Sequence, residues 1–509
     1  MEFHPPVGMR MAEAAAVLSH ALTVRLGPER SRECSYYDTF DGLLHGEGLA
    51  LVYESGELVL RQRDSGPVRA RVTMPRPGRP LLLAALAPGE MSDALDGIVG
   101  VRALLIQARV HGHKRAIGVI DDERKTVARL TLSAPAVLTA DGTTEALSVR
   151  LSVEGLRGYD DELAHVCEVL RDPLFFSVAE QSLADEAVVA SGGTPGGVSS
   201  KPVVALAADQ SAASAVTAVL RAQLEIIEAN LPGTLADIDT EFLHDFRVAV
   251  RRSRAVQREC RRVFAPEGLE RFRNEFRWLQ QVTGDTRDMD VYLLGFEDLR
   301  GLIAPALRTD LDPLLAVLRE RHRRAHAAMG RALRSQRAAV LPEAWRAFLV
   351  SLEAGDGGPA AERTITDVAG RRIRTVYRTM VGMGSAIDAA SPPEEYHELR
   401  KKGKELRYLL ELFGTPLYPA EVTKPFVKAL KGLQDVLGRH QDREVQAATL
   451  RSLQDDVARG PGGVPALVAI GAVIQRLAQD EQAIRSQFSA HLAPFAAPDQ
   501  RRLVKETFR

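Results

Sequence analysis

Hydrophobic and polar residues alternate in short runs over the first 190 residues of the chain. The clearest runs are at residues 58–63, 68–72 and 147–153. A period of two is typical of antiparallel strands with one buried face, and turn-forming residues at 64–67 separate the first two runs. We therefore predict a β-rich domain over residues 1–190, closed by a helix at about 160–170.

A different spacing begins after residue 202. Apolar residues recur there at intervals of three and four in long segments rich in Ala, Leu, Arg and Glu, which predicts an all-helical domain over residues 203–509. Clusters of glycine and proline predict helix breaks at residues 231–233, 355–359 and 460–463. The middle break divides this domain into halves of about 203–354 and 360–509.

The two patterns are separated by residues 191–202, which are rich in glycine, proline and serine. Such a composition favours a flexible, unpacked chain, so we interpret this segment as a linker. The predicted fold class is α+β with two domains, the first antiparallel β and the second all-α.

The composition is that of an ordinary soluble globular protein, with 45% hydrophobic and 26% charged residues. General disorder needs low hydrophobicity and a large net charge, whereas this chain has 66 basic and 67 acidic residues. Its three cysteines, Cys34, Cys167 and Cys260, offer neither a disulfide framework nor a zinc-ligand cluster. This usage indicates a reducing compartment, and we expect a cytoplasmic protein.

The sequence contains no pattern expected for export or membrane insertion. The N-terminus lacks a basic stretch followed by an apolar run, and the longest later apolar stretch, residues 464–474, is too short to span a bilayer. We therefore expect no membrane partner.

Charge is distributed unevenly between the two parts. Residues 1–200 hold 20 basic and 27 acidic side chains, whereas residues 201–509 hold 46 and 40. A basic excess often marks an anionic partner. The positions of the cations in the second part therefore decide whether it is expected to bind an anion.

Those cations recur in a repeated motif of one histidine and three basic residues at positions i, i+3, i+7 and i+10. The two copies are His244, Arg247, Arg251 and Arg254, and His397, Arg400, Lys404 and Arg407. On a helix these positions lie within about 80° of one face. Each copy therefore predicts a helix with a basic stripe.

A second motif follows each basic stripe. Residues 279–291 are identical to residues 433–445 at six of thirteen positions. The two copies of this motif are 154 residues apart in the chain, and the two copies of the first motif are 153 residues apart. This spacing predicts a duplicated multi-helix unit, in which a helix stops near Gly284 or Gly438. We predict that Asp288 and Asp442 cap or salt-bridge the segment that follows.

Two matched stripes of like charge indicate an anion-binding site, because the cations repel one another unless an anion neutralises them. The alternative is a solvated helix face, and for the two histidines a capping or packing role is the alternative. Further cations could enlarge the basic surface: Arg277, Lys431, Arg319, Arg323 and His326. We interpret Arg371, Arg372 and Arg374 as a solvated face.

The residues around the stripes favour a phosphate polymer without bases. Neither stripe is interleaved with the aromatic side chains on which bases stack, and aromatic residues make up 5% of the chain. The sequence also lacks a zinc-finger spacing, an RNP-like motif and a Walker loop. We therefore expect no specific binding of nucleic acid.

The duplicated motifs resemble those of the CHAD family over residues of about 205 to 500. The resemblance implies two pseudo-symmetric helical bundles whose basic helices face a central groove that binds inorganic polyphosphate. It gives this binding set: His244, Arg247, Arg251, Arg254, His397, Arg400, Lys404 and Arg407, enlarged by Arg277, Arg323 and Lys431.

The first 190 residues resemble a divergent CYTH domain, a triphosphate-tunnel fold, through Tyr36–Thr39, Gly48–Leu51 and the arginine-bearing run at 58–63. The resemblance implies an antiparallel β domain of tunnel or barrel type. Such enzymes resemble one another in an E-x-E-x-K first strand and further carboxylates that hold a divalent metal. This sequence has neither the E-x-E-x-K strand nor acidic alternation at 147–153. We expect no catalytic residue, bound metal or cofactor here.

The leading hypothesis is therefore non-catalytic binding of inorganic polyphosphate in a basic groove between two helical bundles, in the cytoplasm and at polyphosphate granules. One alternative is a metal-dependent inorganic triphosphatase that acts through the N-terminal domain. A second is a helical scaffold that docks an acidic protein. The sequence leaves open the polymer length, the biological role of binding and the oligomeric state.

Overall fold

The computed structural model describes residues 1–63, 66–78, 80–139, 141–388 and 390–509. These residues form two compact units, Met1–Ser200 and Lys201–Arg509. Asp64 and Ser65 of the predicted turn at 64–67 lie outside the described residues. Within these ranges, no helix is long and apolar enough to cross a membrane.

The first unit is built on one sheet. Its strands are β1 (Glu2–His4), β2 (Val24–Asp38), β3 (Leu49–Glu54), β4 (Glu57–Gln62), β5 (Val68–Thr73), β6 (Leu105–Ile120), β7 (Thr126–Leu138), β8 (Thr144–Ala146), β9 (Arg150–Gly155) and β10 (Ser177–Val178). Its helices are α1 (Met11–Ala21), α2 (Leu43–Gly46), α3 (Glu90–Val99), α4 (Asp160–Arg171) and α5 (Leu183–Ala190). The predicted runs thus correspond to β4, β5 and β9, and the predicted helix to α4.

Along the sheet, the strands follow the order β10-β1-β9-β7-β6-β2-β3-β4-β5, with β8 paired to β7. Neighbouring strands pair antiparallel, which confirms the predicted antiparallel β domain. The predicted closure into a tunnel or barrel is wrong. In the described part of the sheet, β10 and β5 are edge strands that do not pair with each other. A separate apolar core, covered by its own helices, lies on each half of the sheet.

These cores follow from the alternating pattern. At one end, Leu18 of α1 and Leu170 of α4 pack with Leu130 of β7. At the other end, Leu95 of α3 packs with Leu60 of β4. In β4, the alternate side chains Leu58 and Leu60 are therefore buried under a helix, as a period of two requires.

The strand β9 carries a buried arginine. Arg150 is 2% exposed, and its guanidinium donates to Glu2 at 2.5 Å and to Glu186 at 2.6 Å. Glu2 is the acidic residue of the first strand. Both carboxylates therefore neutralise a guanidinium in the interior of this unit.

The segment predicted as a flexible linker is packed over part of its length. The Val198 N–H donates to the Phe40 carbonyl at 3.1 Å. Gly197 has a φ of +66°, and a Cβ there would lie 2.2 Å from the Phe40 oxygen. The glycines thus permit a close approach of two backbone segments, so the prediction of an unpacked chain is wrong here.

The second unit is all-helical, as predicted. Its helices are α6 (Ala212–Ala236), α7 (Thr240–Glu259), α8 (Pro266–Val282), α9 (Gly284–Leu294), α10 (Phe296–Gly301), α11 (Asp312–Leu333), α12 (Gln336–Glu353), α13 (Ile365–Ala386), α14 (Pro393–Leu409), α15 (Thr415–Leu417), α16 (Ala420–Ala458), α17 (Gly463–Ala496) and α18 (Pro498–Thr507). A π-helical turn, Leu410–Gly414, joins α14 to α15.

Two predicted helix breaks are observed, and one is wrong. Residues 355–359 separate α12 from α13, and residues 460–463 separate α16 from α17. Helix α6 continues through Pro232 and Gly233. Gly233 lets the ring of Phe242 pack against the helix, where a Cβ would lie 2.2 Å from that ring. The helix ends instead at Asp237, which has a left-handed φ of 52°.

The duplication is visible in the helix caps. Ser211 caps α6 by accepting from Ser214 N–H, and Thr364 caps α13 by accepting from Asp367 N–H. These two caps are separated by the offset of the first motif. The four motif residues of each copy lie within α7 and α14.

The predicted stop at Gly438 is wrong, because α16 passes through it without a break. Before Gly438, Phe426 and Leu433 of α16 lie in the core shared with α7 and α14. Beyond it, Leu450 and Val457 lie in a second core with α9–α11 and α17. One long helix therefore serves two cores. In the first half the helix does break, at Thr283 between α8 and α9.

We predict that Arg150→Met lowers the free energy of unfolding of the first unit by about 3–5 kcal/mol, because it leaves two partly buried carboxylates without their cation. Urea denaturation of the full chain, monitored by hydrogen exchange in β9, measures this loss of stability. Both tryptophans, Trp278 and Trp345, lie in the second unit, so tryptophan fluorescence reports on that unit separately.

Arg129→Met on the exposed side of β7 is the matched control and is expected to change stability by less than about 0.5 kcal/mol. Equal denaturation curves for the Arg150 and Arg129 variants would contradict a structural role for the Arg150 cluster.

Candidate anion-binding cleft

The two basic stripes lie on helices whose opposite sides are anchored in one core. In α7, the Asp239 carboxylate caps the helix start by accepting from the Glu241 N–H at 2.9 Å, and Phe246 is buried. In α14, a proline occupies the first helical position and Leu399 is buried. The apolar positions of each helix therefore fix the direction of its basic stripe.

The stripes meet at a cleft of about 280 Å³, which we call the basic cleft. Its lining is His244, Val248, Arg251, Arg252, Arg400, Lys404, Arg407, Tyr408, Glu411, Gln434, Asp435 and Gly438. Both copies of the motif thus contribute cations to one space.

Lys404 shows how closely the two copies approach. Burial, together with the positive charges of Arg400 and of Arg251 on the other copy, lowers the pKa of its ammonium to about 8. A shift of this size means that the free protein holds Lys404 where its charge is unfavourable.

Two cations of the cleft have no partner in the part of the chain that the structure describes. Neither Arg251 nor Lys404 makes a side-chain hydrogen bond or ion pair there, and the Arg251 Nε is buried without an acceptor. Buried donors without acceptors are costly. These two side chains therefore offer unsatisfied donors, one from each half.

The neighbouring stripe residues are held by protein groups. Arg247 donates to the Gln280 carbonyl at 2.8 Å and to Thr283 Oγ1 at 2.7 Å, and burial, with the charge of Arg251, lowers its pKa to about 10. Arg254 donates to the Gln280 side chain. Arg247 therefore keeps its charge at neutral pH while its guanidinium is fixed in direction.

In the second copy, carboxylates hold two of the cations. Arg400 pairs with Asp442 at 3.6 Å. Arg407 donates to Glu411 at 2.6 Å, and Glu411, on the π-helical turn, also pairs with Arg252 at 3.2 Å. The prediction that Asp442 binds the segment after it is wrong, because its partner is the preceding basic helix. Asp288, the equivalent residue, lies close enough to Arg247 for the arginine to oppose the rise that burial causes in the Asp288 pKa.

The two motif histidines are held by equivalent residues of the repeat. His244 Nδ1 accepts from Arg287 at 2.8 Å, whereas His397 Nδ1 contacts the Gln441 side-chain oxygen. Because arginine only donates and the amide oxygen only accepts, the two histidines carry their Nδ1 proton differently. Sequence reasoning missed Arg287 and Gln441, although both stand directly before the shared aspartate of the second motif.

The three added cations are not brought into the cleft lining. Arg277 is exposed and close enough to Arg254 to contribute, after burial, to lowering its pKa. Lys431 is exposed on α16. Arg323 is exposed and pairs with Glu320 on its own helix. Arg277 thus extends the stripe of α7, while Arg323 and Lys431 lie outside the basic cleft.

Over the described ranges, no three His, Cys, Asp or Glu residues are grouped so that they could hold a metal ion. The three cysteines are buried and free.

Comparison with known proteins identifies the region that contains the cleft. Residues 218–451 match the family model of the CHAD domain. The crystal structure of the CHAD domain from the plant Ricinus communis is similar with a TM-score of 0.50 and 24% identity, over 57% of this chain and 95% of that one. PptA from Streptomyces chartreusis has a TM-score of 0.41 and 19% identity, over 55% and 99% of the two chains. The match of residues 218–451 to the family model confirms the predicted CHAD domain, and such a domain is consistent with polyphosphate binding in general.

Two curated relatives are uncharacterized proteins of Mycobacterium tuberculosis, Rv2226 of strain H37Rv and MT2285 of strain CDC 1551. Each is 26% identical over 258 residues, which is 49% of this chain and 47% of the relative. The match thus spans about half the length of these relatives.

We predict that Arg251→Gln raises the pKa of Lys404, because it removes a positive charge that disfavours the ammonium. The pKa is expected to stay below the ordinary value of lysine, since Lys404 remains half-buried. NMR titration of ¹³C-labelled lysine side chains measures the change. Arg254→Gln is the control, since Arg254 is not among the groups that act on Lys404. An unchanged Lys404 pKa in the Arg251 variant would show that the two side chains do not share one space.

Proposed function

We propose, from the premise that residues 218–451 form a CHAD domain, that this protein binds inorganic polyphosphate in the basic cleft without hydrolysing it. The observation that carries the proposal is the meeting of Arg251 and Lys404, two half-buried cations from different halves that make no side-chain hydrogen bond or ion pair with any described residue. A polyanion supplies the negative charge and the hydrogen-bond acceptors that these two side chains lack among the described residues.

The electrostatics support a polymer of closely spaced charges. In the free protein, the charges of Arg400, Arg251 and Arg407 disfavour the Lys404 ammonium, and the opposite charge of Asp442 offsets them in part. Each phosphate that enters the cleft lies near cations of both halves, so binding relieves repulsion in addition to forming hydrogen bonds. Arg400 and Arg407 keep their carboxylate partners and surround the phosphates from the second half.

The cleft offers little for the recognition of bases. Tyr408 is the aromatic residue among the described lining residues, and one ring does not provide a stacking platform for successive bases. The cleft would therefore recognise only the phosphates of a nucleic acid. This favours a ligand composed of phosphates alone.

The N-terminal unit contributes no hydrolytic step in this proposal. Glu2 and Glu186 neutralise Arg150, and Asp185 pairs with Arg63. These carboxylates are occupied by cations of the protein rather than arranged around a divalent metal. For this unit we propose a role in folding, in partner choice or in attachment to polyphosphate granules in the cytoplasm.

We predict that the double variant Arg251→Gln, Lys404→Gln weakens binding of long-chain polyphosphate at least tenfold. By analogy with counterion release, the slope of log affinity against log salt should fall by about two. Fluorescence anisotropy with labelled polyphosphate at several salt concentrations measures both, and phosphate release with magnesium is followed in the same samples.

The control removes two exposed, ion-paired cations outside the cleft, through Lys401→Gln and Arg324→Gln, and is expected to leave affinity within about twofold. Equal affinity of the cleft variant and this control would contradict the proposed site. Magnesium-dependent phosphate release would favour a triphosphatase, and binding of an acidic protein without polyphosphate would favour a scaffold.

We predict that affinity falls as pH rises above about 8. Lys404 has a pKa of about 8 in the free protein, and bound phosphate raises that pKa. Below pH 8 the Lys404 ammonium is charged in both states, so Lys404 contributes no pH dependence there. Above it the free protein loses the proton, so affinity falls by up to tenfold per pH unit.

Titration of binding between pH 7 and 9.5 at constant ionic strength measures this dependence. Lys404→Arg keeps the charge throughout this range and should remove the fall. A slope that persists unchanged in Lys404→Arg would contradict the role of Lys404.

A further inference from the structure

A second basic groove lies in the helical unit, between α13 and α18. It has a volume of about 800 Å³ and shares no lining residue with the basic cleft. Its lining is Arg371, Arg374, Thr375, Tyr377, Arg378, Val381, Gly382, Ser385, Arg501, Val504 and Lys505. Five of these residues are cations, and no aspartate or glutamate is among the described lining residues. The interpretation of Arg371 and Arg374 as a merely solvated face is therefore incomplete. Arg372 points elsewhere and pairs with Glu259 at its other side.

The cations of this groove are mostly uncompensated. Arg374, Arg378 and Lys505 make no side-chain hydrogen bond or ion pair with any residue that the structure describes, and Arg501 donates to the Ala496 carbonyl at 2.9 Å. Arg371 has an acidic neighbour, Asp367, at 3.4 Å. Two helix walls therefore present positive charge to one space.

The duplication supplies an internal comparison. At the offset of 153 that relates the caps of α6 and α13, Arg371, Arg374 and Arg378 correspond to Ala218, Arg221 and Glu225. Arg221 is neutralised by Glu353 at 2.7 Å. The fold of this unit therefore does not require cations at these helix positions, and the groove is a property of the second half.

The groove is built from fixed walls. Phe508, at the end of α18, is fully buried and packs on the Tyr418 ring at a centroid distance of 4.6 Å. Val504 is 2% exposed. The cations of α18 are thus held opposite those of α13 by packing.

The floor of the groove indicates the chemistry of its ligand. Its apolar residues, Tyr377, Val381 and Val504, are already buried, and the Tyr377 ring packs against Phe426 and Phe495. These three side chains therefore offer a ligand little exposed surface for apolar contact or ring stacking, whereas acidic peptides commonly need apolar anchors. Arginine guanidinium groups bind phosphate oxygens through paired hydrogen bonds.

We propose that the groove between α13 and α18 is a second phosphate site, which binds a short run of condensed phosphate. The choice of ligand rests on the proposed function, while the location rests on the groove alone. The phosphates could belong to the polymer held in the basic cleft or to a separate short oligophosphate, and the experiment separates these sources.

The test is isothermal titration calorimetry of the full chain with tripolyphosphate. The cleft variant is Arg251→Gln with Lys404→Gln, and the groove variant is Arg374→Gln with Arg378→Gln. We expect two sites in the unmodified protein, one in either double variant and none in the quadruple variant. Arg221→Gln, the matched change in the first half, should retain both sites. Circular dichroism verifies the fold, which substitution of these solvent-accessible arginines should leave intact.

A groove variant that retains two sites, or a cleft variant that binds no tripolyphosphate, would overturn the second site. A cleft variant that retains two sites while the groove variant loses one would instead overturn the proposed function and leave the groove standing. Titration with long-chain polyphosphate identifies the source. A loss of affinity of tenfold or more in the groove variant means that one polymer occupies both sites, and unchanged affinity means that the groove takes a separate oligophosphate.

Discussion

Repulsion between cations of the two helical halves is the constraint on which the account of the second unit depends. Arg251 and Lys404 face one cleft without a hydrogen-bond or ion-pair partner in the described ranges of the chain, and the Lys404 pKa of about 8 reflects the cost of that position. The structure tolerates this cost because the opposite sides of α7 and α14 lie in one continuous apolar core. Core packing therefore holds together charges that would separate if the helices were free, and an anion is the component that removes the repulsion.

The residues around this pair set its geometry. Residues of the second motif hold two flanking cations and both histidines in place: Asp442 binds Arg400, Gln280 binds Arg254, Arg287 donates to His244, and Gln441 contacts His397. Helix α16 supplies Gln434 and Gly438 to the cleft because it continues from the shared core into the second core. The binding site and the packing of the domain thus depend on the same helix. In the first unit, by contrast, the buried cation has protein partners, because Glu2 and Glu186 neutralise Arg150 in the interior.

Much of this organisation could be predicted from sequence, because a helical period and a repeated motif are local signals. The positions of His244 and His397 on two equivalent helices follow directly from the spacing. The continuation of α16 through Gly438 could not be predicted, since it depends on a distant core that contains Leu450 and Val457. The closed tunnel or barrel that the resemblance to the CYTH family implies is not observed, and the alternating pattern could not test it, because alternation specifies which face of a strand is buried but not whether the edge strands meet. The groove on α13 was missed because its opposite wall, α18, is more than a hundred residues away in the chain.

The central claim is that cations from both halves hold one polyphosphate chain. A crystal structure of the full chain with a polyphosphate of defined length tests this claim most directly. The account predicts ordered phosphates in the basic cleft, with oxygens within hydrogen-bond distance of both Arg251 and Lys404. Ordered polyphosphate bound elsewhere on the protein, with the cleft empty, would contradict it.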